Sequence, residues 1–128
     1  MINRAVIAFG SNIDPAQNIH KAKEKIAQKH RIISESAFVM TKPVEFLEQP
    51  DFLNGSALIE TAEDLDQLKK ELKSIEIDLG RIHTANKCGP RPIDLDIVVW
   101  NNELVDEDFY QRAFLKKSVL EVVPDLKY

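Results

Sequence analysis

Phe52-Leu-Asn-Gly-Ser-Ala-Leu-Ile-Glu60, running straight into Thr61-Ala-Glu-Asp-Leu-Asp-Gln-Leu-Lys-Lys-Glu-Leu-Lys-Ser-Ile-Glu-Ile-Asp-Leu-Gly80, decides the fold. The first segment is short and mostly apolar, the length of a strand, and Gly55 within it marks an expected bulge. The second, opening at Thr61, repeats Leu65, Leu68, Leu72, Ile75 and Leu79 at helical spacing, with Gly80 placed as a helix C-cap. Upstream, Arg4–Phe9 is an apolar, β-branched strand ended by Gly10-Ser-Asn12. Asp14 then serves as a helix N-cap, with Pro15 at the first helical position and Gln17 completing a capping box. Ile19, Ala22 and Ile26 carry that helix to about Lys29. Ile32–Met40 reads as one strand, and Thr41–Pro50 as a loop with two prolines. Downstream, 81–92 is a polar loop and Ile93–Trp100 a fourth strand. Asn101-Asn102 turns into a hairpin strand, Glu103–Val105, and Phe114–Val122 forms a short helix stopped by Pro124. The order β-α-β-β-α-β, extended by a hairpin strand and a small helix, predicts a ferredoxin-like α+β fold, an antiparallel sheet with two helices on one face.

With 128 residues, one domain spanning 1–128 is expected. Hydrophobic residues at 44% and charged residues at 30% are an ordinary globular balance. A net charge of −4 argues against nucleic-acid or anionic-membrane partners, and no apolar run has the length of a membrane span. The lone Cys88 has no disulfide partner, so a reducing, cytoplasmic setting is expected, with no redox role for this thiol. No P-loop, dinucleotide fingerprint, HExxH or GxSxG is present. His20, His30, His83 and one cysteine argue against a three-ligand catalytic zinc site. Chemistry here falls to carboxylates and arginines.

Arg91-Pro-Ile-Asp94-Leu-Asp96-Ile-Val98 is the segment richest in chemistry. Strand side chains alternate, so Asp94 and Asp96 project from one face and Leu95 and Ile97 from the other. Paired carboxylates on a rigid strand suit a hard divalent cation that also takes phosphate oxygens. They equally suit a solvated strand face. Arg81, His83, Lys87 and Arg91 lie in the loop feeding this strand, where they match either a bound polyphosphate or ordinary surface ion pairs. In Gln49-Pro-Asp-Phe-Leu-Asn54, Phe52 can stack on a heterocycle and Asn54 can read its edge, or the segment is a turn followed by a core aromatic.

Ile7-Ala-Phe-Gly-Ser-Asn12, Gln49–Asn54, Glu76 with Gly80-Arg81, and Gly89-Pro-Arg-Pro-Ile-Asp-Leu-Asp96 together resemble the 6-hydroxymethyl-7,8-dihydropterin pyrophosphokinases of folate biosynthesis. A weaker match covers Arg112-Ala-Phe114 and Leu120–Leu126. The resemblance implies transfer of a pyrophosphoryl group from ATP to the pterin hydroxymethyl oxygen, releasing AMP. It implies two Mg²⁺ ions on Asp94 and Asp96, phosphate contacts from Arg81, Arg91, His83 and Arg112, and Glu76 near the nucleotide. Gly10, Thr41, Val44, Phe52, Asn54 and Phe114 would line the pterin pocket, and the loops at 41–50 and 81–92 would act as lids. Small-molecule substrates and a monomer are expected, with no nucleic acid or membrane partner. The chain departs from the family pattern in three places. His83 replaces a second loop arginine, and Cys88 replaces an aromatic. Val105 reaches Arg112 through only Asp106-Glu-Asp-Phe-Tyr-Gln111, without the usual Pro-His pair. Thinner nucleotide contacts are therefore expected, the alternative being a non-catalytic pterin- or nucleotide-binding domain of the same fold.

Overall fold

β1 (Asn3–Ser11) is the central strand, and its alternation builds two cores. In the computed structural model, which describes residues 1–43, 48–81 and 90–128, Ala5, Ile7 and Phe9 point to one face of the sheet and Val6 and Ala8 to the other. The remaining elements are α1 (Pro15–Ala27), β2 (Arg31–Glu35), β3 (Val39–Thr41), β4 (Phe52–Thr61), α2 (Leu65–Asp78), β5 (Asp94–Trp100), β6 (Glu103–Leu104), α3 (Asp108–Gln111) and α4 (Ala113–Val122). The strands order as β2-β4-β1-β5-β6, with β3 also on β4, and every pairing is antiparallel. This is the ferredoxin-like arrangement read from the element order. Ile19, Ala22 and Ile26 of α1 and Leu68, Leu72 and Ile75 of α2 cover the first face. The C-terminal helix covers the second, through Leu115, Val119 and Val122 with Phe109 of α3. No helix among the described residues is long and apolar enough to cross a membrane.

Four local expectations are corrected. Ile32–Met40 is two strands, because Ser36 to Phe38 leave the ladder. Ser36 N–H donates to Ser56 O (2.8 Å), its hydroxyl accepts from Ser56 N–H (2.8 Å), and Ala37 N–H donates to Glu121 on α4. Gly55 is not a bulge, since β1 and β4 pair without a break through Phe9↔Gly55. Its missing side chain makes room for the Phe38 ring, whose atoms would lie 2.6 Å from a Cβ at position 55. The register shifts fall instead at Ile32/Ser34 and at Val6/Ile7. Asp14 precedes α1 in a left-handed conformation (φ 41°) with no side-chain cap, so the expected Asp14–Gln17 box does not form. The capping box belongs to α2, which begins at Leu65 rather than Thr61: Asp64 accepts from Gln67 N–H, and the Gln67 side chain accepts from Asp64 N–H. Val44, His83, Lys87, Cys88 and Gly89, with the inner parts of both expected lids, lie outside the described residues.

Gly55→Ala is expected to lower the urea midpoint by an amount equivalent to about 1–3 kcal/mol, the usual range for overpacking. An unchanged midpoint would show that Phe38 moves freely.

Candidate active site

The end of β1 lies between the starts of β4 and β5. Gly10 pairs with Asn54 on one side and Asp94 on the other, and Ala8 pairs with Ser56 and Asp96. Leu95 and Ile97 are packed under α1 and α2, so alternation turns Asp94 and Asp96 toward the α4 face, as the strand reading predicts. Gly10 is needed between them. A Cβ there would come within 3.0 Å of Asn54 Oδ1, so only a glycine leaves the Asn54 amide where it stands.

Arg81 reaches the same point from the end of α2. Gly80 at φ 98° breaks the helix, its N–H bonding to Ile77 O while Arg81 N–H bonds to Glu76 O. This pair of bonds is the Schellman arrangement, and it returns Arg81 toward β5. Its Nη1 donates to Glu76 Oε2 (2.6 Å) and Asp94 Oδ1 (2.8 Å). Glu76 is buried, and the same Oε2 accepts from Leu95 N–H (2.8 Å), tying helix, strand and arginine together. Burial raises the Glu76 carboxyl and the Asp94 charge adds to this, while the Leu95 hydrogen bond and Arg81 oppose it. Arg91 Nη1 donates to Asp94 Oδ2 (2.8 Å), and its guanidinium lies 5.9 Å from the Phe52 ring centre. Asp94 is therefore gripped on both oxygens.

Asp96 is the opposite case. It makes no ion pair or side-chain hydrogen bond with the described residues, and it opens to solvent at the cleft rim. Its carboxyl is pushed up to about 7, first by lost hydration in the recess, then by the charges of Asp94, Asp106 and Glu76, against a lowering by Arg81. A carboxylate crowded by like charges and contacted by no cationic side chain among the described residues is one that a hard divalent cation neutralises, so Asp96 with the neighbouring Asp94 fits Mg²⁺.

Three recesses meet at this pair, a small one of about 60 Å³ and two larger clefts. The first cleft, about 180 Å³, is lined by Gly10, Thr41, Phe52 and Asn54 from the sheet, by Arg91, and by Arg112 and Phe114 from the start of α4. Asn54 donates to the Thr41 hydroxyl. Arg112 sits 4.0 Å from Asp108. The second cleft, about 420 Å³, follows the edge of β5, along which, among the described residues, β6 pairs with Val99 and Trp100 alone. Glu76, Arg81, Leu95, Ile97 and Val105 line it, with Lys69, Lys70 and Lys73 of α2. Asp94 and Asp96 line both clefts. The described candidates thus divide between the two larger clefts and do not form one pocket.

Sequence reading missed four features. Lys69, Lys70 and Lys73 look like a solvated helix face. Asp106 follows the hairpin and faces Asp96. Gln49 and Lys42 line the first cleft. Asn12 is 5% exposed and pins two loops at once: its Nδ2 donates to Gln49 Oε1 (2.8 Å) and Pro50 O (3.1 Å), while its Oδ1 accepts from Arg91 N–H (2.8 Å). The Gly-Ser-Asn turn and the Gln-Pro pair were its only signals.

Residues 6–124 match the family described as 7,8-dihydro-6-hydroxymethylpterin-pyrophosphokinase (HPPK). The 2-amino-4-hydroxy-6-hydroxymethyldihydropteridine pyrophosphokinase of Haemophilus influenzae is 33% identical over 133 aligned residues, covering 95% of this chain and 82% of that protein. The protein of the same description from Pseudomonas aeruginosa is 30% identical over 138, covering 99% and 85%. The folic acid synthesis protein fol1 of Schizosaccharomyces pombe is 35% identical over 133, covering 95% of this chain but 18% of that protein.

Proposed function

Since this chain belongs to the 7,8-dihydro-6-hydroxymethylpterin-pyrophosphokinase family, and is on that ground a pyrophosphokinase of folate synthesis that uses ATP, we propose that its two clefts hold the two substrates and that Asp94 and Asp96 mark the point of transfer. The observation that carries this reading is that both carboxylates line both clefts.

The first cleft takes the pterin. Phe52 and Phe114 offer aromatic surface to a flat bicyclic ring, and the Asn54 amide, held by Thr41, offers both a donor and an acceptor to its edge. The second takes ATP. Leu95, Ile97 and Val105 supply an apolar floor, and Lys69, Lys70 and Lys73 supply cationic partners, compensating for contacts that the short 105–112 connection does not provide. Arg81 and Arg91 stand on either side of Asp94, and Arg112 closes the pterin side, so three guanidiniums surround the path of the triphosphate. Mg²⁺ held by Asp94 and Asp96 would neutralise the phosphate oxygens during transfer. The pterin hydroxymethyl oxygen bonds to the β-phosphorus and gives up its proton to solvent, the bond from the β-phosphorus to the α–β bridging oxygen breaks, and AMP departs with that oxygen. The arginines must leave Asp94 for this geometry to form. Phosphate oxygens, better charge-assisted partners for two guanidiniums than one shared carboxylate, draw them away.

The test is incubation with Mg-ATP and 6-hydroxymethyl-7,8-dihydropterin. AMP and the pterin diphosphate are expected in equal amounts. ADP as the nucleotide product, or pterin binding with no turnover, would overturn the assignment.

A further inference from the structure

His30, Glu63 and Glu71 form a second cluster, apart from the clefts at Asp94 and Asp96. Each is presented by a different element with a fixed backbone. His30 follows α1, and its N–H donates to Ile26 O (2.9 Å). Glu63 lies in the turn between β4 and α2, its N–H on Thr61 Oγ1 (3.0 Å) and its carbonyl accepting from Asn3 Nδ2 (2.9 Å). Glu71 projects from α2, with the Lys29 ammonium 3.7 Å from Oε2. One donor atom from each of the three side chains falls within 4.8 Å of the others.

The cluster is incompletely satisfied by protein atoms. His30 Nε2 and Glu71 Oε1 are 2.6 Å apart, with only 1% of the histidine side chain and 12% of the glutamate side chain exposed. Glu63 Oε2 and His30 Nδ1 are buried with no hydrogen-bond partner among the described residues. A buried carboxylate oxygen with no partner calls for an ion or water to complete it.

We propose that His30 Nε2 and the carboxylates of Glu63 and Glu71 bind one divalent transition-metal ion of the zinc class. Imidazole nitrogen with carboxylate oxygen suits such an ion and disfavours Mg²⁺, which prefers an all-oxygen shell. With the ion bound, the 2.6 Å contact between His30 Nε2 and Glu71 Oε1 opens to the wider separation of two ligands on one metal. Glu71, at 12% side-chain exposure, is the ligand through which the cluster meets solvent, from which a water would complete a four-coordinate shell. Lys29 balances the second carboxylate. The site joins the end of α1 to the β4–α2 turn and to α2, and its role is structural. It uses one histidine and two glutamates, which a search for histidine and cysteine ligands passes over.

The test uses chelator-stripped protein carrying Asp96→Asn, which removes half of the other candidate cation pair. Calorimetry is expected to show one Zn²⁺ bound with proton release, and Co²⁺ to give the visible absorption of a four-coordinate site. Adding Glu63→Gln, which keeps a hydrogen-bonding side chain, is expected to weaken Zn²⁺ at least tenfold. In the unsubstituted protein, nitrogen NMR of the imidazoles is expected to show His30 shifting with stoichiometric Zn²⁺, a readout independent of any variant's folding. Affinity unchanged by Glu63→Gln, or His30 resonances unmoved by Zn²⁺, would mean that the cluster does not ligate the ion and would overturn the proposal.

Discussion

Asp96→Asn is expected to abolish pyrophosphoryl transfer while making the ligand-free protein more stable above neutral pH. The activity loss follows from removing one of two carboxylates proposed to hold Mg²⁺ against the triphosphate. Metal-borne charge stabilisation is worth several kcal/mol, so turnover should fall on the order of 10³-fold or more. The stability gain follows from the crowding of Asp96 by Asp94, Asp106 and Glu76. Its folded value of about 7 exceeds the ordinary 3.8, so between these values the folded state binds more protons than the unfolded state. The contribution of Asp96 to stability therefore falls as pH rises from about 4 to about 7, and asparagine avoids that loss. Because Asp96 opens to solvent, screening limits the gain to about 1 kcal/mol. Thermal melts at pH 8 should place the variant above the parent, with the two converging near pH 4. A variant with normal turnover would remove the carboxylate pair from the mechanism. A variant less stable at pH 8 would show that Asp96 has a favourable partner.

Glu76→Ala is expected to be the most destabilising substitution at the site. Glu76 Oε2 is shared by Leu95 N–H and Arg81, and removing it leaves a buried backbone donor unpaired and a guanidinium without its anchor. Loss of one partner from a buried charged pair costs about 3–5 kcal/mol. Arg81 would then rest on Asp94 alone, so turnover should fall along with stability. Glu76→Gln separates the two roles. Its amide oxygen still accepts from Leu95, so stability should be largely restored, while Arg81 loses its charged anchor and the nucleotide KM rises. Urea unfolding and steady-state kinetics on both variants check this. Equal stability losses for alanine and glutamine would show that the carboxylate charge, rather than the Leu95 bond, holds the helix to the strand.

Much of the fold could be read along the chain, because helix and strand periods are written over stretches of about ten residues. The stripe Leu65–Leu79, the turn at Asn101-Asn102 (both at positive φ) and the chain reversal at Gly80 are local devices, and all three sit where the residues place them. Asp94 and Asp96 share a face for the same reason, period-two alternation on a strand. The failures have a common cause. Ser36–Phe38 carries an unbroken strand pattern, and only the Phe38 ring seeking the bare backbone of Gly55, with Ser36 bonding across to Ser56, interrupts it. Asp14 has the chemistry of a cap, but the chain leaving Asn12, pinned to Gln49 and Arg91, enters the helix in a left-handed conformation. Lys69, Lys70 and Lys73 resemble any charged helix face until the β5 residues Leu95 and Ile97 line the same cleft.

The residues alone determined the order of the longer elements, the shared face of the two aspartates and the arginines near them in the chain, since each rests on backbone periodicity or turn chemistry within a few neighbours. Only the tertiary structure decided that Asn54, Gly10 and Asp94 stand in one row, that α4 closes the second face, and that His30 meets Glu63 and Glu71. Those meetings depend on which apolar surfaces bury against each other across the whole chain, a global balance of packing that no short window of sequence carries.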